Sequence, residues 1–112
     1  MPLMDALTET EQLVLLALLH LGEDAYGVPV QAEIEARSGR RVSLAAVYGT
    51  LDRLESRKYV GSWLSDPVPE RGGRARKHFR VTAAGGRALR ESREAMARMW
   101  RGVELHPDVR GR

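Results

Sequence analysis

Apolar residues recur along the chain in four stretches of helical period and one stretch of strand-like alternation, and the breaks fall at glycine, proline and short polar residues. The first helix is predicted from Thr8, because Thr8 and Glu11 have the spacing of a capping box. It carries Leu13, Leu16, Ala17 and residues 19–21 to a stop at Gly22. Residues 13–19 are apolar almost all round, which implies burial on more than one side, either at the centre of a domain or in an interface. A second helix opens after Tyr26 and Gly27, tolerates Pro29 in its first turn, buries Val30 and Ile34 with Val28, and ends at Gly39. Ser43 caps a third helix with Leu44, Val47, Leu51 and Leu54 on its packing face, ending around Arg57 and Lys58, where cations suit the helix dipole.

Residues 59–66 read as a strand supported by Val60 and Trp63. Pro67, Pro69, Gly72 and Gly73 make a turn, and residues 74–81 return with Phe79 and Val81 alternating with Arg80. Thr82 caps a last helix over about 83–104, whose first turn is weakened by Gly85 and Gly86 at about 1 kcal/mol each relative to alanine. The tail from His106 to Arg112, with Pro107 and Gly111, is expected to fray. The order helix, helix, helix, hairpin, helix predicts a mainly α fold with a small β-hairpin. In domain terms this is a winged helix-turn-helix domain over 1–82 followed by a C-terminal dimerisation helix and tail over 83–112. No internal repeat, low-complexity tract or interdomain linker interrupts it.

Composition narrows the class. The 112 residues fit one domain, and 43% hydrophobic with 29% charged residues is globular composition. A core of this size leaves little stability in reserve, so an exposed apolar stripe calls for a partner. The chain has no cysteine, which removes disulfides and thiolate metal sites and fits a reducing, cytoplasmic location. The longest apolar stretch, 13–19, is far shorter than the roughly 20 residues that cross a bilayer. It is preceded by Asp5, Glu9 and Glu11 rather than by the basic residues of a signal peptide, so no membrane partner is expected. The formal net charge is +3, yet the segment 70–82 alone carries Arg71, Arg74, Arg76, Lys77 and Arg80 against Glu70, a net +4. The rest of the chain is near neutral, and the charge is focused on the hairpin.

The third helix turns Ser43, Ala45, Ala46, Gly49, Thr50 and Arg53 away from its packing face. Side chains this short let a backbone approach base edges in a major groove, although they are equally what an ordinary surface helix shows. Tyr48, beside the packing stripe, can reach a phosphate through its hydroxyl or be a half-buried ring. The hairpin is the stronger signal: five cations around Gly72 and Gly73 form a basic tip on a stiff ribbon, suited to phosphates or a minor groove. On the last helix Leu89, Met96, Met99, Trp100 and Val103 share a stripe that the first three helices do not need, which reads as a dimer seam rather than as a helix folded back on its own domain. Met96, Met99 and Trp100 could also line a small-molecule pocket between subunits. His20, His78 and His106 lie on separate elements without metal-ligand spacing, and no nucleophile elbow or phosphate loop is present. No enzymatic activity, metal or cofactor is expected; His78 reads as a surface residue of the hairpin and His20 as a helix C-terminal cation or a tucked ring.

Three blocks carry a family resemblance: LLALLHLGEDAYGVPVQAEIEARSG, VSLAAVYGTLDRLESRKYV and GGRARKHFRVTAAG. In this order and spacing the chain resembles the PadR family of bacterial transcriptional regulators, in its short form with a single C-terminal helix, from about Glu11 to Trp100. The resemblance implies a homodimer joined mainly through the last helix, with Leu15 and Leu19 contributing from the first, that recognises a pseudo-palindromic site on double-stranded DNA, usually to repress. By position it places Tyr26, Ser43, Tyr48, Arg74, Arg76 and Lys77 near DNA. The sequence departs from the family at His78 and Phe79, where members often carry two tyrosines. It departs again at Met96, where some relatives place an aromatic that stacks a planar ligand, with Trp100 one turn later. A ligand-responsive regulator and a winged-helix protein-interaction module are the alternatives, since a fold alone does not fix function.

Overall fold

The computed structural model describes residues 6–65 and 76–106. Helix α1 (Glu9–Leu21) starts with the reciprocal box that the spacing predicts: Thr8 Oγ1 accepts from the Glu11 N–H at 3.1 Å, and Glu11 Oε1 accepts from the Thr8 N–H at 2.9 Å. A 3-10 turn (Gly22–Asp24) leads to α2 (Gly27–Ser38), which stops where Gly39 takes the left-handed conformation. Ser43 caps α3 (Leu44–Ser56), its Oγ accepting from the Ala46 N–H at 3.0 Å. The far end of α3 closes in a Schellman pair, the Tyr59 N–H donating to Leu54 O and the Lys58 N–H to Glu55 O, both at 2.9 Å.

Strands β1 (Val60–Leu64) and β2 (Lys77–Val81) pair antiparallel, with Val60 opposite Val81, Ser62 opposite Phe79 and Trp63 opposite His78. The Ser65 N–H extends the pairing to Arg76 O at 2.8 Å. The turn expected at Pro67, Pro69, Gly72 and Gly73 lies outside the described residues, as do Arg71 and Arg74. Helix α4 (Ala83–Trp100) is capped by Thr82, whose Oγ1 accepts from the Gly85 N–H at 3.1 Å. It ends four residues earlier than its apolar stripe predicts, because Arg101 is extended and Gly102 has φ 82°. The tail from Pro107 onward lies outside the described residues.

The core gathers Val14, Leu15 and Leu18 of α1, Val30 and Ile34 of α2, Val47, Leu51 and Leu54 of α3, and Val60 and Phe79 of the hairpin. Phe79 is fully buried, and burying a side chain of this kind stabilises by about 1.5–3 kcal/mol. Its backbone N–H also donates to Ala25 O at 2.9 Å, so β2 is held on one edge by β1 and on the other by the segment that enters α2. At the opposite corner Glu11, buried at the start of α1, meets Arg57 Nη1 at 3.3 Å and ties α1 to the end of α3.

Three expectations fail for the same reason, the 100° step of a helix. Leu15 is fully buried in its own protomer and has no surface to offer a second subunit; the exposed residue is Leu16, at 45%, on the stripe shared with Leu19, at 58%. Val28 is exposed, two residues and so about 200° away from Val30. Thr50 is buried beside Val47 and Leu51 rather than outward, and its hydroxyl accepts from Arg53 Nη2 at 3.1 Å.

Gly85 is a requirement of the fold more than a weakness. A Cβ there would stand 2.2 Å from the Tyr59 carbonyl oxygen and 3.0 Å from Val81 Cγ1, whereas at Gly86 it would meet nothing within 4 Å. Gly85→Ala is therefore expected to destabilise by about 1–3 kcal/mol in chemical denaturation. Gly86→Ala should leave stability unchanged or raise it by up to about 1 kcal/mol. Equal effects of the two substitutions would contradict the close approach of α4 to Tyr59 and Val81.

Candidate nucleic-acid interface

The outward edge of α3 is slim. Ala45 and Ala46 are exposed, Gly49 is half-buried, and Arg53 lies exposed along the same side. Ser43 stands at the start of this edge, its hydroxyl engaged as the cap. Tyr48 is half-exposed and leans back on α2: a Cβ on Gly27 would sit 2.3 Å from both Cζ and the hydroxyl oxygen of Tyr48. Gly27 thus makes room for the ring, and the tip of Tyr48 lies at the first turn of α2, next to Tyr26.

The hairpin base arrives at the same place. The Arg76 guanidinium lies 4.6 Å from the centroid of the Tyr26 ring. Tyr26 presents an edge to His78 at 5.3 Å between centroids and 60° between planes, and His78 stacks on Trp63, its cross-strand partner, at 5.2 Å and 23°. His78 Nδ1 lies 2.9 Å from the Glu23 carbonyl oxygen, which can only accept, so Nδ1 carries the proton. His78 is buried and braces the hairpin against the α1–α2 junction, which corrects the expectation of a surface residue. Alternation marks Phe79 as the inward residue, but strand periodicity does not show that a second segment covers the opposite face.

Lys77 is held differently. Its Nζ lies 3.3 Å from Glu55 Oε1 on α3, and it sits over the Phe79 ring at 5.5 Å. Glu55 also accepts a short hydrogen bond from the Ser62 hydroxyl, so one carboxylate of α3 binds both strands. The Ser62 bond, and less strongly Lys77, holds the Glu55 carboxyl below the usual glutamate range against an opposing effect of desolvation. Nothing about Glu55 in the linear sequence announces this role; the nearest signal is its position, one helical turn before the hairpin.

Two further arginines escaped the sequence reading. Arg40 and Arg41 occupy the turn between α2 and α3, just before Ser43, and pair with Glu9 at 2.9 Å and Glu35 at 3.4 Å. The Arg41 side chain is 91% exposed, so its pair is weak and screened by salt. Among the described residues no group of histidine and carboxylate side chains could hold a metal ion. Nor is any described helix long and apolar enough to cross a membrane.

Away from this surface, the exposed stripe of α1 and the apolar arc of α4 diverge to leave an open groove of about 610 Å³, lined by Leu16, Leu19, Leu89 and Met96 with Gln12 and Arg93. Met96 is 57%, Met99 74% and Trp100 54% exposed, Val103 is exposed beyond them, and Leu89 is half-buried against the core.

The family model of PadR-like transcriptional regulators matches residues 15–91, from α1 into α4 and through the whole hairpin. The chain belongs to that family. No curated protein sequence matches it. Among solved structures it is similar to a PadR family transcriptional regulator from Eggerthella lenta at 29% identity and a TM-score of 0.65, over 83% of this chain and 79% of that one. A transcriptional regulator from Clostridium thermocellum aligns at 20% identity and a TM-score of 0.67, covering 80% of this chain and 84% of that one. F93 from STIV, a winged-helix DNA-binding protein, aligns at 18% identity and a TM-score of 0.65, covering 85% and 95%. The PadR chain therefore has the winged-helix fold predicted from its sequence, and its family is one of regulators rather than enzymes.

In this PadR protein the Glu55 contacts tie hairpin stability to pH. Because the folded-state pKa is depressed, the stabilisation is complete above the glutamate range and is lost as pH falls through the folded value. Glu55→Gln should lower stability at pH 7 by less than about 1 kcal/mol, since the group is partly exposed. In denaturant melts the variant should lose less stability than wild type on going to pH 4. Parallel acid limbs would show that Glu55 does not anchor the strands.

Proposed function

We propose that this PadR-like regulator is a homodimeric, sequence-specific DNA-binding protein that represses transcription from a pseudo-palindromic operator. The observation that carries the reading is convergence: the first turn of α2 at Tyr26 and Gly27, Tyr48 of α3 and Arg76 of the hairpin meet beside the slim edge of α3. A major groove about 12 Å wide admits such a helix. In this arrangement Ser43, Ala45, Ala46, Gly49 and Arg53 approach base edges. Tyr48, Arg76, Lys77 and, from the segment between the strands, Arg71 and Arg74 position the duplex by its phosphates, with Arg40 and Arg41 added to that set, while Tyr26 stands beneath Arg76. The description of F93 as a winged-helix DNA-binding protein supports the same use of the fold.

Residues 1–82 form the DNA-binding unit and α4 with its tail the dimerisation unit. The groove between α1 and α4 takes the α4 of a second copy, with Leu16 in place of Leu15 beside Leu19, Leu89, Met96, Met99, Trp100 and Val103. A seam of this kind sets two α3 helices about 34–36 Å apart, one turn of duplex. The same apolar groove, lined by Met96 with the exposed Met99 and Trp100 further along α4, also favours a second reading in which a planar effector enters between the subunits and shifts DNA affinity.

Selection of bound fragments from random duplexes, followed by anisotropy titrations across a salt series, tests the assignment. Arg76→Ala should reduce the slope of log affinity against log salt by about 1.8 for a dimer with one phosphate contact per subunit. An unchanged slope removes the hairpin from the interface. Leu16→Asp should sediment as a monomer at micromolar concentration and lose at least about tenfold in operator affinity, because two half-sites no longer bind together. A wild-type chain that binds an acidic protein but no duplex would instead establish the protein-interaction alternative. Quenching of tryptophan fluorescence by planar aromatic compounds, with a matching change in DNA affinity, distinguishes the effector reading.

A further inference from the structure

Arg76 and Lys77 are neighbours at the base of the hairpin, and the fold restrains them by different chemistry. Lys77 is paired with the Glu55 carboxylate, so a phosphate must compete for its charge. Among the described residues no carboxylate pairs with Arg76; its guanidinium rests on the face of Tyr26 at 4.6 Å. A guanidinium held over a π face is restrained without an anion taking up its N–H donors, which leaves them for a bidentate acceptor.

The platform beneath Arg76 is itself fixed from several sides. Tyr26 is the N-cap residue of α2 and makes no side-chain capping bond, so its ring is not needed for capping. The ring is set by the edge contact with His78, whose orientation is fixed by the Nδ1 bond to Glu23 O and by the stack on Trp63. Trp63, His78, Tyr26 and Arg76 form a continuous ladder from β1, across β2, to the cap of α2 and back to the hairpin base.

We propose that Tyr26 and His78 are positioning residues that pre-orient the Arg76 guanidinium for a DNA phosphate, with Tyr26 acting through the face of its ring and not through its hydroxyl. This rests on the duplex-binding reading and adds to it a specific division of labour. Without the platform Arg76 keeps its charge, so counterion release is unchanged, but the side chain must be ordered when it binds. That cost corresponds to about a two- to tenfold loss of affinity per subunit.

The test combines operator titrations of Tyr26→Phe, Tyr26→Leu, Arg76→Ala and the Tyr26→Leu/Arg76→Ala pair with NMR of the free protein, each variant first checked for an unaltered thermal melt. Tyr26→Phe should bind as wild type. Tyr26→Leu should bind about two- to tenfold more weakly per subunit with the salt slope retained, and should add nothing in the Arg76→Ala background. The Arg76 δ-methylene protons should show an upfield ring-current shift in wild type and Tyr26→Phe that is lost in Tyr26→Leu and reduced in His78→Ala. Equal losses from Tyr26→Phe and Tyr26→Leu would assign the work to the hydroxyl and overturn the proposal. So would a Tyr26→Leu loss that persists undiminished without Arg76. An absent ring-current shift in the wild type overturns the platform whatever the DNA result. A normal shift in a protein whose duplex affinity ignores Arg76→Ala shows that the duplex reading of the hairpin has failed, and the positioning role falls with it.

Discussion

The candidate surface depends throughout on how the second strand of the hairpin is clamped. A lone two-stranded hairpin is marginal in water, so it has to be held by something else. Here Phe79 goes fully into the helical core while its backbone N–H bonds to Ala25 O, and on the other face His78 reaches Glu23 O. The strand is thereby fixed to the junction from which α2 starts, and Glu55 fastens both strands to α3. The hairpin base, the first turn of α2 and α3 are therefore tied to one another. That is the physical condition for Arg76, Tyr26 and Tyr48 to address a duplex together.

The helical core that serves as the anvil is small, and α4 lies mostly outside it. The radius of gyration is 16.8 Å, against about 13 Å for a compact chain of this length. The first part of α4, through Gly85, Ala88 and Leu89, packs against the rest of the protomer, whereas Met96, Met99 and Trp100 are more than half exposed. An apolar arc held away from its own core is unfavourable in an isolated chain, and in the proposed dimer stability and assembly would be coupled by mass action. The Leu16 and Leu19 stripe on α1 follows the same logic, since it faces the groove rather than the core.

Most of the architecture was legible because local signals agreed with one another. The boxes and caps at Thr8, Ser43 and Thr82 start the helices where the sequence places them, and Gly22 and Gly39 end two of them. The misreadings are of faces. Around a helix, neighbours such as Leu15 and Leu16 differ by 100°, and where residues 13–19 are apolar all round no periodicity selects which of them faces the core. Thr50 was misplaced because a threonine whose hydroxyl is bonded locally can be buried at the margin of a packing arc. His78 and Gly85 depend on segments distant in sequence, Glu23 and Tyr59, and no local pattern encodes such a meeting. For the same reason the convergence of Tyr26, Tyr48 and Arg76 could be named residue by residue from the family pattern but not assembled from it.

The distribution of charge gives the final constraint. Outside the hairpin several arginines are paired: Arg40 with Glu9, Arg41 with Glu35, Arg57 with Glu11. Outside residues 70–82 the chain carries 13 lysines and arginines against 14 carboxylates, close to neutral, so net attraction to a polyanion is centred on the hairpin. Within the hairpin the ion pair of Lys77 supports the fold, while the ring beneath Arg76 restrains a cation without cancelling it. An aromatic face is the partner that holds an arginine in place and still leaves its field and donors available to an anion. A surface that must be rigid before binding and yet strongly attractive to phosphate is best built by setting cations on rings and keeping carboxylates for the joints, and the hairpin base separates the two in that way.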